Sequence, residues 1–293
     1  MSLNKPSALR QVCVTILFSA TFFSHVYSQV PTDKQYLVRP STERFLNGAF
    51  REMLRPQARQ LLADVEKSYG REVRVKVMSD WENHLIGESS LEEDGTPEIR
   101  LNASTGRTEV CAVHELFHLK LKAEGYPAII LTGDLTESHR AYFANAASVI
   151  RETLQHRAFY PEMRRMGFTP EAMQRVLLKR VMKGDRDDGV NVAPDEVSLA
   201  LYYFKACLEV EDRELISHIE KTYEKKQFIW GLETGKMLVG LAREYKSQSP
   251  EEEIGLLIRC LNALFSDKVS FGVRRWLRRF DIENVAVIEI IPR

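Results

Sequence analysis

RTEVCAVHELFHLKLKAEG, residues 107–125, contains neither proline nor glycine until Gly125, and Pro127 follows closely. Val110, Val113, Phe117 and Leu121 recur at helical spacing, while Cys111, Leu116 and Leu119 add apolar character on other sides. This pattern predicts a helix over 107–124, buried on most of its surface. Within it His114-Glu115-Leu116-Phe117-His118 has the form H-E-x-x-H. Helix positions four apart lie about 40° out of line and about 6 Å apart along the axis. Two imidazoles so placed can converge on one tetrahedral zinc ion. Glu115 can then reach a zinc-coordinated water without taking a ligand position. His114 and His118 are thus candidate zinc ligands and Glu115 a candidate general base.

A third ligand has to come from elsewhere. The longer pattern with a third histidine fails, because Leu121 stands at its glycine and Glu124 at its last histidine. On a straight helix Glu124 points away from the metal. The next helical pattern, 136–157, carries Glu152 and His156 four apart and so on one face. Glu152 is the favoured third ligand, with His156 as the alternative ligand or as an outer partner. A surface ion pair between the two is the plainer reading. Glu137 and His139, at the start of that helix, are weaker candidates. Tyr142, Tyr160 and His139 are candidate hydrogen-bond donors to a developing oxyanion, with packing the simpler role for each.

Outward from this region the chain divides in character. Helical patterns at 43–54 and 57–69 precede an alternating run, Arg71 to Met78, in which Val73, Val75 and Val77 share one face of a strand. Residues 81–96 read as polar and turn-forming, and Pro97 to Asn102 as a second short strand. Further helices are expected over 170–183, 195–209, 212–226 and 231–246. Another opens at the capping box Ser249-Pro250-Glu251-Glu252 and runs to about 264. The β-rich run Val285 to Ile291 ends the sequence. The expected fold is α+β and mostly helical. A small mixed α/β half over 29–130 carries the H-E-x-x-H helix, and a larger helical half over 131–293 supplies the third ligand.

Lys5 and Arg10 precede an apolar run from Val12 to Phe23, with Val26-Tyr27-Ser28 suited to cleavage. Residues 1–28 are therefore expected to be a signal peptide, giving a secreted or periplasmic protein with no membrane span after cleavage. Cys111, Cys207 and Cys260 would remain, as a Cys207–Cys260 bridge plus one thiol or as three buried thiols. Basic and acidic residues balance at 41 each, which argues against a dedicated nucleic-acid binder. The local cluster Arg274, Arg275, Arg278 and Arg279 reads as a solvated helix face or an acidic docking patch. Asp185, Asp187, Asp188 and Asn191 read as an acidic turn, since the glycine position does not suit a calcium loop. Tyr202, Tyr203, Phe204 and Leu208 read as helix core.

HELFH with a glutamate on a later helix resembles the gluzincin, thermolysin-type branch of zinc metallopeptidases. The longer stretches HELFHLKLKAEGYP and NAASVIRETLQHRAFYPEM are also similar to exported bacterial proteins with a predicted peptidase core. The resemblance spans roughly residues 72–167 and is specific only at HELFH. It implies a zincin-like fold and zinc held by His114, His118 and Glu152, with His156 in the place of the family's outer partner. It also implies Glu115 as general base, a peptide or protein substrate, and an edge strand at Ile99 to Asn102 that pairs with extended substrate. The sequence departs from the family at Arg151, where an asparagine usually precedes the glutamate. Alternatives left open are a non-catalytic zinc-containing binding module and a zinc hydrolase of a non-peptide amide.

Overall fold

The structure is a computed structural model. It describes residues 44–45, 47–78, 87–102, 108–172, 174–175, 178–179, 195–245, 249–279 and 283–293. The signal peptide expected over 1–28 and the acidic turn from Asp185 to Asn191 lie outside the described residues, as does part of the helix expected over 170–183. The fold is α+β and mostly helical, as expected.

The first sheet contains β1 (Arg44–Phe45), β2 (Arg74–Met78), β3 (Gly87–Leu91) and β4 (Pro97–Asn102), in the spatial order β1-β2-β4-β3. Strand β2 runs parallel to β4 with Val75 opposite Ile99, and β3 pairs antiparallel to β4 with Ser89 opposite Ile99. Two expectations change here. The stretch 81–96 contains a strand, β3, whose sequence GESSL has no apolar alternation to reveal it. And β4 is an interior strand: Ile99 and Leu101 are buried, and Glu98 is fully enclosed between Lys76 and Arg100. Among the described residues, the strand that ends the sheet on the side of the H-E-x-x-H helix is β3.

Helix α1 (Asn47–Met53) is followed by α2 (Pro56–Tyr69), which has Pro56 in its first turn and is closed by Gly70 at φ 65°, a left-handed cap suited to glycine. The H-E-x-x-H helix is α3 (Thr108–Ala123). After it comes β5 (Ala128–Thr132), then the long α4 (Glu137–Arg165), capped by the Thr136 hydroxyl. Helix α4 passes straight through Pro161 and outruns the expected end at 157. Pro161 sacrifices a helical hydrogen bond, but Phe159, Tyr160 and Met163 around it are all buried, and that packing carries the helix onward. Helix α5 (Glu196–Lys205) widens into a π-turn at Ala206–Val210, and α6 (Arg213–Lys225), α7 (Ile229–Glu244) and α8 (Pro250–Leu264) complete the helices, Ser249 capping α8 as its sequence predicts.

The C-terminal half also carries a sheet, of β5, β6 (Val269–Arg279) and β7 (Glu283–Pro292), with β7 in the centre. Strand β7 is parallel to β5 and antiparallel to β6. The division drawn at residue 130 therefore cuts through β5. Arg274, Arg275, Arg278 and Arg279 lie on an edge strand and not on a helix; Val269, Phe271, Val273, Trp276 and Leu277 suit a strand, and pairing with the apolar β7 overrides the helical reading of the arginines.

Two apolar cores result. One gathers α2, α3 and the first sheet around Leu61, Ile99, Leu116 and Phe117. The other gathers α5 to α8 and the second sheet around Phe204, Leu238, Leu257 and Ile288. Helix α4 belongs to both, through Ile150 and Leu154 to the second core and through Phe159 and Met163 to the first. His156 stands at that junction. Cys111, Cys207 and Cys260 are buried free thiols, so Cys207 and Cys260 are not bridged. No helix among the described residues is long and apolar enough to cross a membrane.

Candidate metal centre

Helix α3 turns His114 and His118 toward α4, and α4 returns His156 from the opposite side. One ligand nitrogen from each of the three rings lies within 4.8 Å of the others. The Nε2 atoms of His114 and His118 are 3.1 Å apart. A tetrahedral ion with bonds of about 2.0–2.1 Å to nitrogen sets its ligand atoms about 3.3–3.4 Å apart. The α3 pair therefore already has close to the needed separation, and the widest gap in the group, 4.8 Å, must close by about 1.5 Å to complete a tripod of that size.

The outer atoms of the rings fix which nitrogens face inward. His118 Nδ1 is 3.0 Å from Gln155 Oε1, an acceptor, so Nδ1 carries the proton and Nε2 presents a lone pair. Gln155 in turn donates from its Nε2 to Glu253 Oε1 at 3.0 Å. His156 Nδ1 donates to Glu209 Oε1 at 3.0 Å, leaving His156 Nε2 buried with no hydrogen-bond partner. An orphaned imidazole nitrogen costs free energy in a protein interior. A carboxylate behind one ring nitrogen and an open lone pair on the other is the arrangement found at protein metal sites. The donor set fits a divalent, imidazole-preferring ion such as zinc.

Glu209 lies on the π-turn, fully enclosed, with Lys205 Nζ 3.1 Å from the same oxygen that faces His156. Burial opposes its ionisation, but Lys205 and the His156 N–H outweigh burial and lower its pKa to about 2. It is a carboxylate at any physiological pH. Burial, followed by the other ring charges and by Lys205, Lys122 and Arg151, holds the His114 and His118 imidazoles well below the usual histidine range, with Glu209 opposing at His114. Both are neutral, the form that binds metal. Phe159 meets the edges of all three imidazoles with centroids 5.1–5.4 Å away, and Tyr160 stacks on His156 at 4.8 Å. Truncating Phe159 to Ala should lower the unfolding free energy by about 3–5 kcal/mol, measured by urea denaturation. Replacing Glu209 with Gln should weaken metal affinity by about 10–100-fold while thermal melting stays cooperative, measured by competition with a chelating dye.

Glu115 points to a different neighbour. Its side chain lies against Gly87 on β3, where an added Cβ would come within 3.0 Å of Glu115 Cγ. Gly87 thus leaves room for this carboxyl at the sheet edge. Burial raises the Glu115 pKa to about 7, with Ser89 and Lys122 opposing and Glu152 and Glu88 assisting.

Of the residues proposed from sequence, His114, His118 and His156 come together. Glu152 is outside this group; one turn before His156, its carboxylate accepts a hydrogen bond from Ser148. Tyr142 packs against Phe143 and Phe265 in the second core, and Tyr160 braces His156 with its hydroxyl 3.3 Å from Nδ1. His139 sits in the first turn of α4, where its backbone N–H donates to Thr136. Gln155, Phe159, Glu209 and Glu253 were not anticipated. For Glu209 the sequence holds only a faint signal, a lysine four residues earlier on an apolar helix.

No family model matches the chain, and neither the curated proteins nor the solved structures yield a match. The geometry stands alone.

Proposed function

We propose that this chain is a zinc-dependent hydrolase of peptide bonds, acting after export, with His114, His118 and His156 as the protein ligands. The observation that carries the reading is the buried, unpartnered Nε2 of His156 facing two neutral imidazoles whose own nitrogens sit 3.1 Å apart. Among the described residues three side chains would hold the ion, and an ion held by three protein ligands would keep a position for water, which favours catalysis over a closed structural site. When bound, zinc supplies Lewis acidity and lowers the pKa of a coordinated water to about 7.

The remaining roles belong to the chain. Glu209 and Gln155 hold the rings of His156 and His118 in their ligating tautomers. Glu115, adjacent in sequence to His114 and set against the β3 edge, takes up the proton released during attack on the carbonyl and passes it to the leaving amine. Among the described residues no strand pairs with the outer side of β3, and backbone groups there, apart from the Ser89 carbonyl that accepts from Lys122, suit pairing with an extended peptide. The test is metal content together with turnover. Zinc-loaded protein should cleave members of a peptide panel, and a chelator should abolish cleavage reversibly. Stoichiometric zinc without hydrolysis of any peptide would leave a binding module or a hydrolase of another amide in its place.

A further inference from the structure

His114, His118 and Lys122 are spaced by four on α3, so Lys122 continues the metal-facing stripe one turn beyond His118. On α4, Arg151 stands one turn before Gln155, the residue that holds His118. The Arg151 side chain is only 20% exposed, and its buried Nε has no hydrogen-bond partner. Its nearest ionic partner is Glu253, at a loose 3.8 Å. Lys122 donates to the Ser89 carbonyl of β3 at 2.7 Å, which uses one of its three protons. Arg151 Nε is thus a buried donor with no hydrogen-bond partner, and Lys122 keeps two donors beyond its bond to Ser89.

The acids around them are mostly engaged elsewhere. Glu283 pairs with Arg279 at 3.5 Å, Glu88 with Arg100 at 3.7 Å, and Glu152 accepts from Ser148. Glu253 accepts from Gln155. The two cations also oppose one another, since Arg151 disfavours the charge on Lys122.

We propose that Lys122 and Arg151 form a recognition site for a substrate carboxylate, placed next to the metal group so that the bond cleaved lies close to a free carboxylate. The planar guanidinium suits such a group, donating to it through two parallel N–H···O bonds, with the ammonium supplying a further charge. The inference rests on the three-histidine group being the hydrolytic centre. The carboxylate has two sources, the C-terminus of a peptide or an acidic side chain near the cleaved bond.

The experiment uses the full chain as Glu115→Gln, zinc-loaded, so that probes bind without turning over. N-acetyl-alanyl-alanine, its C-terminal amide, and N-acetyl-alanyl-aspartic diamide are titrated calorimetrically. At least one carboxylate-bearing probe, the free acid or the aspartic diamide, should bind at least about tenfold more tightly than the C-terminal amide. Arg151→Gln and Lys122→Gln, each added to this protein, should bring that ratio near unity without loss of zinc. Recovery of affinity by the aspartic diamide alone would assign the site to a side chain, and by the free acid alone to a C-terminus. Equal affinity for all three probes in zinc-loaded protein overturns the proposal, as does a ratio that survives both substitutions, since the carboxylate would then sit on the metal. Should Arg151→Gln fail to fold, Lys122→Gln and Arg151→Lys carry the comparison. A protein that takes up no zinc but keeps the ratio defeats the hydrolase reading and leaves the anion site standing.

Discussion

Replacing His156 with Ala is expected to reduce zinc affinity by well over the ~10–100-fold typical of removing an outer partner, whereas Glu152→Gln should leave it within a few-fold of the parent. The contrast follows from where the two side chains go. His156 offers a buried lone pair with no other partner, and its opposite nitrogen is fixed by Glu209. Glu152, on the same helix face in sequence, is held by Ser148 and stands outside the group of converging nitrogens. Competition with a chelating dye measures both variants directly. Equal losses in the two, or a larger loss for Glu152→Gln, would transfer the third ligand to the carboxylate.

Glu115→Gln should separate binding from chemistry. The amide has nearly the same shape, so it fills the space beside Gly87 and leaves zinc affinity unchanged. It cannot accept a proton, so turnover of any cleaved peptide should fall by about 10²–10⁴-fold, the usual contribution of a general base. The fall should appear in kcat rather than KM, because the lost interaction belongs to the transition state. A variant that still turns over at more than a tenth of the parent rate would remove Glu115 from the mechanism.

How much of this is legible in the sequence varies with the range of the interactions. HELFH is readable because ligand spacing and helix periodicity act within one turn of one element, and α3 forms where the apolar pattern places it. The choice between Glu152 and His156 is not readable from spacing, since both lie on one face of α4. What favours His156 is Glu209, 53 residues beyond it and raised on a π-turn that no local pattern announces. Gln155 behaves likewise: its meaning comes from His118 on one side and Glu253, 98 residues away, on the other. The strands that escaped notice share a cause. GESSL in β3 and AIILT in β5 are too short to establish a period, and in β6 four arginines mask a strand stabilised by its pairing with β7. The interior placement of β4 depends on β3 being a strand at all, so one short unrecognised segment also displaced the expected edge.

Zinc K-edge X-ray absorption on the purified full chain, after dialysis against a metal-free buffer, probes the centre without reference to substrate. One tightly held ion per chain should show a four-coordinate first shell of nitrogen and oxygen at about 2.0–2.1 Å, with the outer-shell scattering of three imidazoles. Absence of a retained ion, or scattering from two imidazoles with a carboxylate as third protein ligand, would contradict the tripod of His114, His118 and His156.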